Sequence, residues 1–393
     1  MDYRFSDKVI NLKPSLIREI LKMSSVPGMI PFSAGNPAPD AFPKEALAKI
    51  SDDLMRNRPI DALQYSITEG YTPLRDSIRA RYSYLFSEDD DVIITAGAQQ
   101  VMNLATQSFC NEGDVIICEN PSFIGSLNAF RSFNVKLVGV DMDSEGMEAD
   151  KLEQALKENP NAKLIYIIPN FQNPTGLTTS LKRRKEIYEL AKKYGVMILE
   201  DNPYGETRFA GEEVPSIKSM DKDGIVIYAG SFSKVIAPGI RVGYAIAPKP
   251  VLAKMTVCKQ VQDVHTSAFS QIVVNEFMTG SDYDAHLDRN RGIYKRKCDL
   301  MCNGMIEQFG DKIQLVTRPE GGLFVWCKLP DGADMLDFCK KGIERGVAVV
   351  PGTAFLADET QPCIHIRANY STPSDEQIVK GIEILAQLAK ELY

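Results

Sequence analysis

The sequence predicts an α/β protein in which a mainly parallel sheet is covered by helices, with a smaller α+β domain beside it. From about residue 92, short β-branched runs alternate with helical stretches, as in a sheet built from strand-helix-strand units. Most of these runs are apolar on both faces, which is typical of buried parallel strands. After residue 280 this alternation gives way to isolated strands between long helices, which indicates a second domain.

The N-terminal 45 residues are too short to fold alone. They contain a predicted helix, "SLIREILKMSS", and then a Pro/Gly-rich extended stretch, "PGMIPFSAGNPAPDAFP". We expect this stretch to pack on the second domain or across the mouth of a site.

Seven apolar runs are predicted as strands, and the segment 180–195 is predicted as a helix that ends in glycine. The runs are "DVIITAG", "DVIICEN", "VKLVGVD", "KLIYIIPN", "VMILEDN", "IVIYAGS" and "VGYAIAP". A long amphipathic segment, 281–310, is followed by the strands "GGLFVWCKL" and "CIHIRANYS". The predicted division is a large domain, 46–280, and a small domain made of 281–393 and an N-terminal arm, 1–45.

Composition excludes several classes of function. The net charge of -7 gives no general attraction to nucleic acid. The longest apolar runs fall well short of the roughly 20 residues of a membrane helix, and the N-terminus resembles no secretory signal, so we expect a cytoplasmic protein with no membrane partner. Eight cysteines without a C-x-x-C pair, and three histidines, favour buried thiols over a metal site.

Polar residues follow four of the predicted strands, where ligands of open α/β sheets bind. They are Gly97-Ala98-Gln99, Asn173 in "NPTG", Asp201 with Tyr204, and Ser231, Ser233 and Lys234. Each group alone has an ordinary explanation as a turn, a helix cap or a solvated side chain, and Asp201 could simply pair with Lys234. Together they match the needs of pyridoxal phosphate: a lysine for a Schiff base, a carboxylate for a protonated ring nitrogen and a helix N-terminus for the phosphate.

The motifs "SFSKVIAPGIRVGY", "NPTG" and "DNPY" resemble those of the fold type I, pyridoxal-phosphate-dependent aminotransferases of class I/II. Further matches, "LQYSITEGYTPLRDSIRARY", "GAQQ", "PEGGLFVWCKLPDG", "GVAVVPGTAF" and "IRANYS", follow in the family's order over some three hundred residues. The opening "SLIREILKMSSVPGMIPFSAGNPAPDAFP" is similar to the 2-aminoadipate/kynurenine aminotransferase branch.

The resemblance implies a role for each matching residue. Lys234 would form the Schiff base and move the substrate proton, Asp201 would hold the ring nitrogen, and Asn173 and Tyr204 would bond the 3-hydroxyl oxygen. The phosphate would be held by Ser231, Ser233, Arg241 and the Gly97-Ala98-Gln99 turn. Phe123 would stack on the ring, although a plain core phenylalanine is the simpler interpretation. Tyr65 would reach the phosphate of a neighbouring subunit, which implies a homodimer.

The substrate side of the site is implied in the same way. Arg367 would bind the α-carboxylate, and an arginine inside an apolar strand is independently unusual because its burial is costly. Gly35 would lie where the N-terminal stretch closes over substrate. Arg18 would meet a distal carboxylate of the substrate, or would be a solvated arginine beside Glu19.

Four positions depart from the family pattern. Ala98 stands where a serine is frequent, and Phe123 stands where a tyrosine is common. "SAGNPAP" has Ala34 and Asn36 where the nearest branch usually shows "GGLP". The last change affects the expected substrate and leaves the cofactor unaffected.

The predicted activity is a ping-pong transamination from an L-amino acid to a 2-oxo acid, expected to be 2-oxoglutarate. The expected donors are 2-aminoadipate, aromatic or branched-chain amino acids. A carbon-sulfur β-lyase would use the same lysine and aspartate, and a catalytically silent sensor domain is the alternative from another class.

Overall fold

The computed structural model describes residues 3–6, 28–280 and 282–393. The predicted helix "SLIREILKMSS", and Arg18 within it, lie outside the described residues. The strands are β1 Asp90–Thr95, β2 Val115–Asn120, β3 Lys136–Asp143, β4 Gly146–Met147, β5 Ala162–Ile167, β6 Met197–Asp201, β7 Val226–Ser231, β8 Gly243–Pro248, β9 Gln314–Leu315, β10 Phe324–Lys328, β11 Val350–Pro351 and β12 His365–Asn369.

Helices separate most of these strands along the chain. They are α1 Lys44–Asn57, α2 Pro59–Leu63, α3 Thr72–Arg81, α4 Ala98–Phe109, α5 Ile124–Arg131, α6 Ala149–Glu158, α7 Leu181–Tyr194, α8 Lys249–Asp263, α9 Ala268–Thr279, α10 Tyr283–Phe309, α11 Met335–Glu344 and α12 Asp375–Leu392.

The large sheet has the strand order β1-β8-β7-β6-β5-β2-β3-β4. Neighbouring strands from β7 through β6, β5 and β2 to β3 pair in parallel, whereas β8 runs antiparallel to both β7 and β1. The predicted fold class, a mainly parallel sheet with helices plus a smaller domain, is confirmed. Because the parallel strands β5, β6 and β7 are neighbours, their carboxyl ends lie side by side at one edge of the sheet.

The helix predicted at 180–195 shows how local sequence fixes an element. The hydroxyl of Ser180 accepts a hydrogen bond from the backbone N–H of Arg183 at 3.1 Å, which caps the first turn of α7. Gly195 ends the helix in the left-handed conformation with φ of 68°. The strand β6, which leads into the candidate site, begins two residues later.

The second sheet has the order β11-β12-β10-β9, and its pairs are antiparallel. The Pro/Gly-rich N-terminal stretch packs against this part of the chain: Ile30 forms a bridge with Val347, and the carbonyl of Phe32 accepts from the N–H of Asn369 at 2.7 Å. The carbonyl of Asn36 accepts from the hydroxyl of Ser371 at 2.6 Å. The stretch is therefore held through its backbone.

The two sheets share one apolar core. The largest cluster of buried side chains contains Ile116 and Leu164 from the large sheet and Val325 and Ile366 from the second sheet. Close packing of this kind fixes the two sheets relative to each other and so fixes any site between them.

Two further observations concern the described residues alone. No helix among them is long and apolar enough to cross a membrane. Within the same ranges, no group of three or more His, Cys, Asp or Glu side chains is arranged to hold a metal ion.

Candidate active site

The candidate site lies where the carboxyl ends of β5, β6 and β7 meet the second sheet. Asp201 is the last residue of β6, and Lys234 lies in the turn that follows β7. Arg367, from β12, reaches across to Asn173 in the loop after β5, with 3.0 Å between Nη1 and Oδ1. Residues that are far apart in the sequence are therefore brought into one region.

Lys234 is half-buried, and its ammonium group donates a hydrogen bond to the carbonyl of Gly35 at 2.8 Å. Burial lowers its pKa to about 8, and the positive charges of Arg367 and Arg241 act in the same direction. A lysine of this kind is deprotonated in an appreciable fraction of molecules near neutral pH, which makes it a usable nucleophile and base. Among the described residues it forms no ion pair with Asp201, so the simple pairing considered from the sequence is wrong.

Asp201 is 4% exposed, and one of its carboxyl oxygens has no partner. Oδ2 accepts a hydrogen bond from the phenol of Tyr166 at 2.8 Å, whereas Oδ1 has no hydrogen-bond partner in the described part of the chain. Burial raises the pKa of Asp201 to about 7, and the bond from Tyr166 opposes that rise. A buried carboxyl with one free oxygen suits a cationic or protonated ligand group.

Arg367 is 5% exposed, and the described residues contain no carboxylate bonded to it. Besides Asn173, it donates to the backbone carbonyls of Ser33 and Ala34 at 3.0 and 3.2 Å, and Nε has no partner in those ranges. Its guanidinium carbon lies 4.1 Å from the ring centroid of Phe324. Burial lowers the pKa of Arg367 to about 10. Because a buried cation without an anion is costly, the arrangement suits a carboxylate ligand.

Asn173 and Tyr204 lie beside this arginine. Tyr204 is 4% exposed, its ring packs edge-on against Phe324 at 6.1 Å between centroids, and its phenol lies near the amide of Asn173. Burial raises the pKa of Tyr204, so the phenol stays protonated at neutral pH and can donate. The site therefore offers an amide and a phenol next to the arginine.

The loop that carries Asn173 is held from beneath by a buried polar network. The side-chain amide of Gln172 accepts from the backbone N–H of Thr175 at 3.0 Å and donates to the carboxyl of Glu119 at 3.2 Å. Glu119 is fully buried in β2. Sequence reasoning missed both residues, because neither Glu119 within a strand pattern nor Gln172 in the following loop gave any indication of its partner.

The turn predicted to bind an anion lies where β1 leads into α4. Gly97, whose φ is 81°, immediately precedes Ala98, the first residue of α4. The Arg241 guanidinium donates to the carbonyl of Ala96 at 2.8 Å and to the hydroxyl of Ser233 at 3.5 Å. A side chain on Gly97 would place its Cβ 2.5 Å from Nη2 of Arg241. A Cβ at residue 97 would therefore force the guanidinium to move from its present position beside the helix N-terminus.

Other predicted phosphate-site residues have definite contacts. The hydroxyl of Ser231 accepts from the backbone N–H of Ser233 at 3.2 Å. The side chain of Gln99 donates to the carbonyl of Gly125 at 2.9 Å and so joins α4 to α5. Ala98 contributes no hydroxyl, so the groups that this region offers to an anion are backbone N–H groups, Arg241 and the two serines.

Two of the predicted aromatic residues have contrasting surroundings. Phe123 immediately precedes α5, is half-buried and packs against an apolar cluster that includes Ile124, Trp326 and Phe355. Tyr65 is 82% exposed, and its ring meets that of His265 edge-on at 5.7 Å. Within this one chain, Tyr65 therefore lies on the surface.

The chain resembles aminotransferases along its length. A family model, aminotransferase class I and II, matches residues 27–385. The chain is 39% identical to an aromatic-amino-acid aminotransferase of Thermococcus litoralis, over 100% of this chain and 95% of the relative. It is 36% identical to a 2-aminoadipate transaminase of Thermus thermophilus, over 97% of this chain and 95% of the relative.

A solved aminotransferase structure resembles the fold of this chain over nearly its whole length. A crystal structure of kynurenine aminotransferase from Pyrococcus horikoshii, in complex with PMP, has a TM-score of 0.93 and 37% sequence identity, and the match covers 98% of this chain and 97% of that one.

The raised pKa of Asp201 predicts a pH-dependent stability of the cofactor-free protein. Between its ordinary value of 3.8 and about 7, the folded protein keeps a proton that the unfolded chain has released. The contribution of this group to stability is therefore largest below pH 3.8 and falls as the pH rises, by up to about 1.4 kcal/mol per pH unit. Asp201→Asn should flatten this part of the profile, measured by urea unfolding at a series of pH values.

Glu119→Gln serves as the matched control. Burial raises the pKa of Glu119 to about 8. Its substitution should therefore flatten the pH dependence of the unfolding free energy over a range that extends to higher pH than for Asp201. An Asp201→Asn profile as steep as that of the unsubstituted protein between pH 4 and 7 would contradict the prediction.

Proposed function

The chain belongs to the class I and II aminotransferase family and is a pyridoxal-phosphate-dependent aminotransferase, and from this premise we propose its reaction in detail. It moves an amino group from an L-amino acid to 2-oxoglutarate by a ping-pong mechanism. The observation that carries the proposal is the buried Arg367, which lacks an acidic partner in the described residues. Burial lowers the pKa of Lys234, and the positive charge of Arg367 adds to that effect.

The residues of the site fit the cofactor. Among the described residues Asp201 has one buried oxygen without a partner, which would suit a protonated ring nitrogen. Gly97, Arg241 and Ser233 form a cradle for a phosphate. Asn173 and Tyr204 supply an amide and a phenol for the ring's 3-hydroxyl oxygen, and Phe123 an aromatic face. When bound, pyridoxal phosphate supplies an aldehyde that bonds to amines and a ring that withdraws electrons from the substrate α-carbon.

Lys234 does two things in this proposal. Its amine would hold the cofactor covalently at rest. Once the substrate's amine has displaced it, the free amine of Lys234 would take the proton from the substrate α-carbon and return it to the cofactor carbon that receives the amino group. The pKa of about 8 supports this role, because a general base works best when its pKa lies near the working pH. The bond to Gly35 supports a link between this amine and the segment that would cover the substrate.

Arg367 binds the α-carboxylate of both substrates. Donor amino acid and acceptor oxo acid share this group, so one arginine can serve both halves of a ping-pong reaction. The planar guanidinium can offer two parallel N–H donors to a carboxylate. The bonds to Asn173 and to the carbonyls of residues 33 and 34 support a fixed orientation of the guanidinium.

The donor is proposed to be 2-aminoadipate or an aromatic or branched-chain amino acid. The names of the relatives from Thermococcus litoralis and Thermus thermophilus support the first two classes. Apolar rings beside Arg367 support an aromatic or branched-chain donor. The guanidinium of Arg367 lies 4.1 Å from the ring of Phe324 and 5.0 Å from the ring of Phe355. The role of Arg18 toward a distal carboxylate remains a prediction.

We also propose a homodimer in which Tyr65 reaches the phosphate site of the partner. An exposed apolar surface around Tyr65 supports this, with Ile60 70% and Leu63 68% exposed at α2 and Val261 76% exposed on α8. Surfaces of this kind commonly mark subunit contacts. Sedimentation at micromolar concentration should give the mass of two chains; the mass of one would contradict the proposal.

We also propose a division into two domains and a cytoplasmic location. The separate sheets support a large domain, 46–280, and a small domain of 281–393 with the arm 1–45. Limited proteolysis that cuts mainly inside 46–280 would contradict this division. Eight free cysteines support a reducing, cytoplasmic location, which cell fractionation tests.

The ping-pong mechanism predicts product release in the absence of the second substrate. Cofactor-loaded enzyme mixed with one donor at a time should release one equivalent of 2-oxo acid per active site and then stop. Addition of 2-oxoglutarate should restart the reaction and yield glutamate. The donors to compare are glutamate, 2-aminoadipate, kynurenine, an aromatic and a branched-chain amino acid, with the released oxo acid measured by mass spectrometry.

Lys234→Ala is the control for this experiment and should release no oxo acid. Continuous formation of ammonia and pyruvate would replace the proposal with a β-lyase, and bound cofactor without any product would replace it with a silent sensor domain.

The cradle at Gly97 predicts a specific loss of cofactor affinity. Gly97→Ala should raise the dissociation constant for pyridoxal phosphate by about 10-fold or more, because the new methyl group displaces a guanidinium whose charge-assisted bonds are worth about 1.5 to 3 kcal/mol. Equilibrium dialysis of the variant measures this constant.

Gly113→Ala is the matched control for the strain of a left-handed alanine. Gly113 has φ of 84°, close to the 81° of Gly97, and a Cβ there would meet nothing within 4 Å. Both variants should lose stability by about 1 to 2 kcal/mol, and only Gly97→Ala should lose cofactor. Equal cofactor affinity in the two variants would contradict the cradle.

A further inference from the structure

A buried chain of hydroxyl groups leads from Asp201 into the body of the protein. The phenol oxygen of Tyr166 lies 2.8 Å from Oδ2 of Asp201 and 2.8 Å from the hydroxyl oxygen of Ser126. Tyr166 is fully buried in β5, and Ser126 is 1% exposed on α5. The sequence predicted neither residue as part of the site, because Tyr166 occurs in the apolar run "KLIYIIPN".

Counting protons gives this chain a direction. A phenol has one proton to donate, and an ionised carboxylate can only accept. When Asp201 is ionised, Tyr166 therefore donates to it, and the hydroxyl of Ser126 donates to the phenol oxygen. Burial raises the pKa of Tyr166, so its phenol keeps its proton and remains a donor at physiological pH. The negative charges of Asp201 and Glu119 raise this pKa further.

The same tyrosine also fixes two elements relative to each other. Its ring packs edge-on against Phe130 at 5.1 Å, one turn beyond Ser126 on α5. The backbone N–H of Ser126 donates to the carbonyl of Phe123 at 3.0 Å. Tyr166 thus connects the carboxyl at the end of β6 to the helix whose N-terminus carries Phe123.

We propose that Tyr166 is a positioning residue of this enzyme: it occupies Oδ2 of Asp201, ties that carboxylate to α5, and leaves Oδ1 as the oxygen available to the cofactor. The proposal rests on the role of Asp201 in the proposed function. It assigns to Tyr166 no contact with substrate, and it predicts that loss of the phenol acts through Asp201.

The test measures cofactor affinity of the full-length loaded enzyme by equilibrium dialysis at pH values from about 5.5 to 8.5, around the pKa range of a perturbed carboxyl. Tyr166→Phe keeps the ring and removes only the donor. Its dissociation constant for pyridoxal phosphate should rise about 10- to 100-fold near pH 7, the effect of one charge-assisted hydrogen bond. The acid side of the binding profile should move to higher pH, because Asp201 loses a bond that favours its ionised form.

Three further variants isolate the mechanism. Ser126→Ala should lower the affinity for pyridoxal phosphate as Tyr166→Phe does, but by a smaller factor. Tyr370→Phe is the control: it removes a different buried phenol, which donates to the carbonyl of Gly321 at 2.9 Å, and should leave the affinity and its pH profile unchanged. In an Asp201→Asn background, Tyr166→Phe should change affinity by no more than about 2-fold, since its effect passes through the carboxylate.

The outcomes separate this inference from the function on which it rests. One result would overturn only the role of Tyr166: Tyr166→Phe binds pyridoxal phosphate with normal affinity and an unshifted pH profile, while Asp201→Asn binds it more weakly. Normal affinity in Asp201→Asn overturns the assignment of Asp201 and the inference with it. If Tyr166→Phe does not fold, an unchanged profile in Ser126→Ala overturns the proposal.

Discussion

The burial of one guanidinium constrains the whole site. Arg367 projects from the second sheet, and its hydrogen bonds go to Asn173 at the end of the large sheet and to the backbone of residues 33 and 34. Three segments that are distant in sequence must therefore meet around a cation that is almost completely buried. Carbonyl and amide oxygens offset only part of the cost of removing that charge from solvent, and Nε has no partner in the described ranges.

The other ionisable groups of the site experience the same low polarity. Burial raises the pKa of Asp201 and lowers those of Lys234 and Arg367, so each group is pushed toward its neutral form. A ligand that brings a carboxylate to the arginine and a protonated nitrogen to the aspartate reverses both effects. Electrostatic complementarity of this kind explains why the site is arranged for a charged cofactor and an amino acid together.

The polar residues at the strand ends could be predicted because a parallel sheet gathers them at one edge. Lys234, Asp201 and Asn173 each follow an apolar run, and their order along the chain matches a known family. The partners of these residues could not be predicted in the same way. Tyr166 occurs within an apolar strand, and the atoms that hold Arg367 include backbone carbonyls, which any sequence supplies. Gln99 shows the same limit, because its side chain joins α4 to α5 through the carbonyl of Gly125.

The backbone attachment of the N-terminal stretch has an evolutionary consequence. Ala34 contributes only its carbonyl to Arg367, and Asn36 accepts from Ser371 through its carbonyl. Side chains at these positions can therefore diverge without breaking the backbone bonds to Arg367 and Ser371. A duplicated copy of such a gene can therefore accumulate substitutions in this stretch while it retains the backbone bonds that orient Arg367.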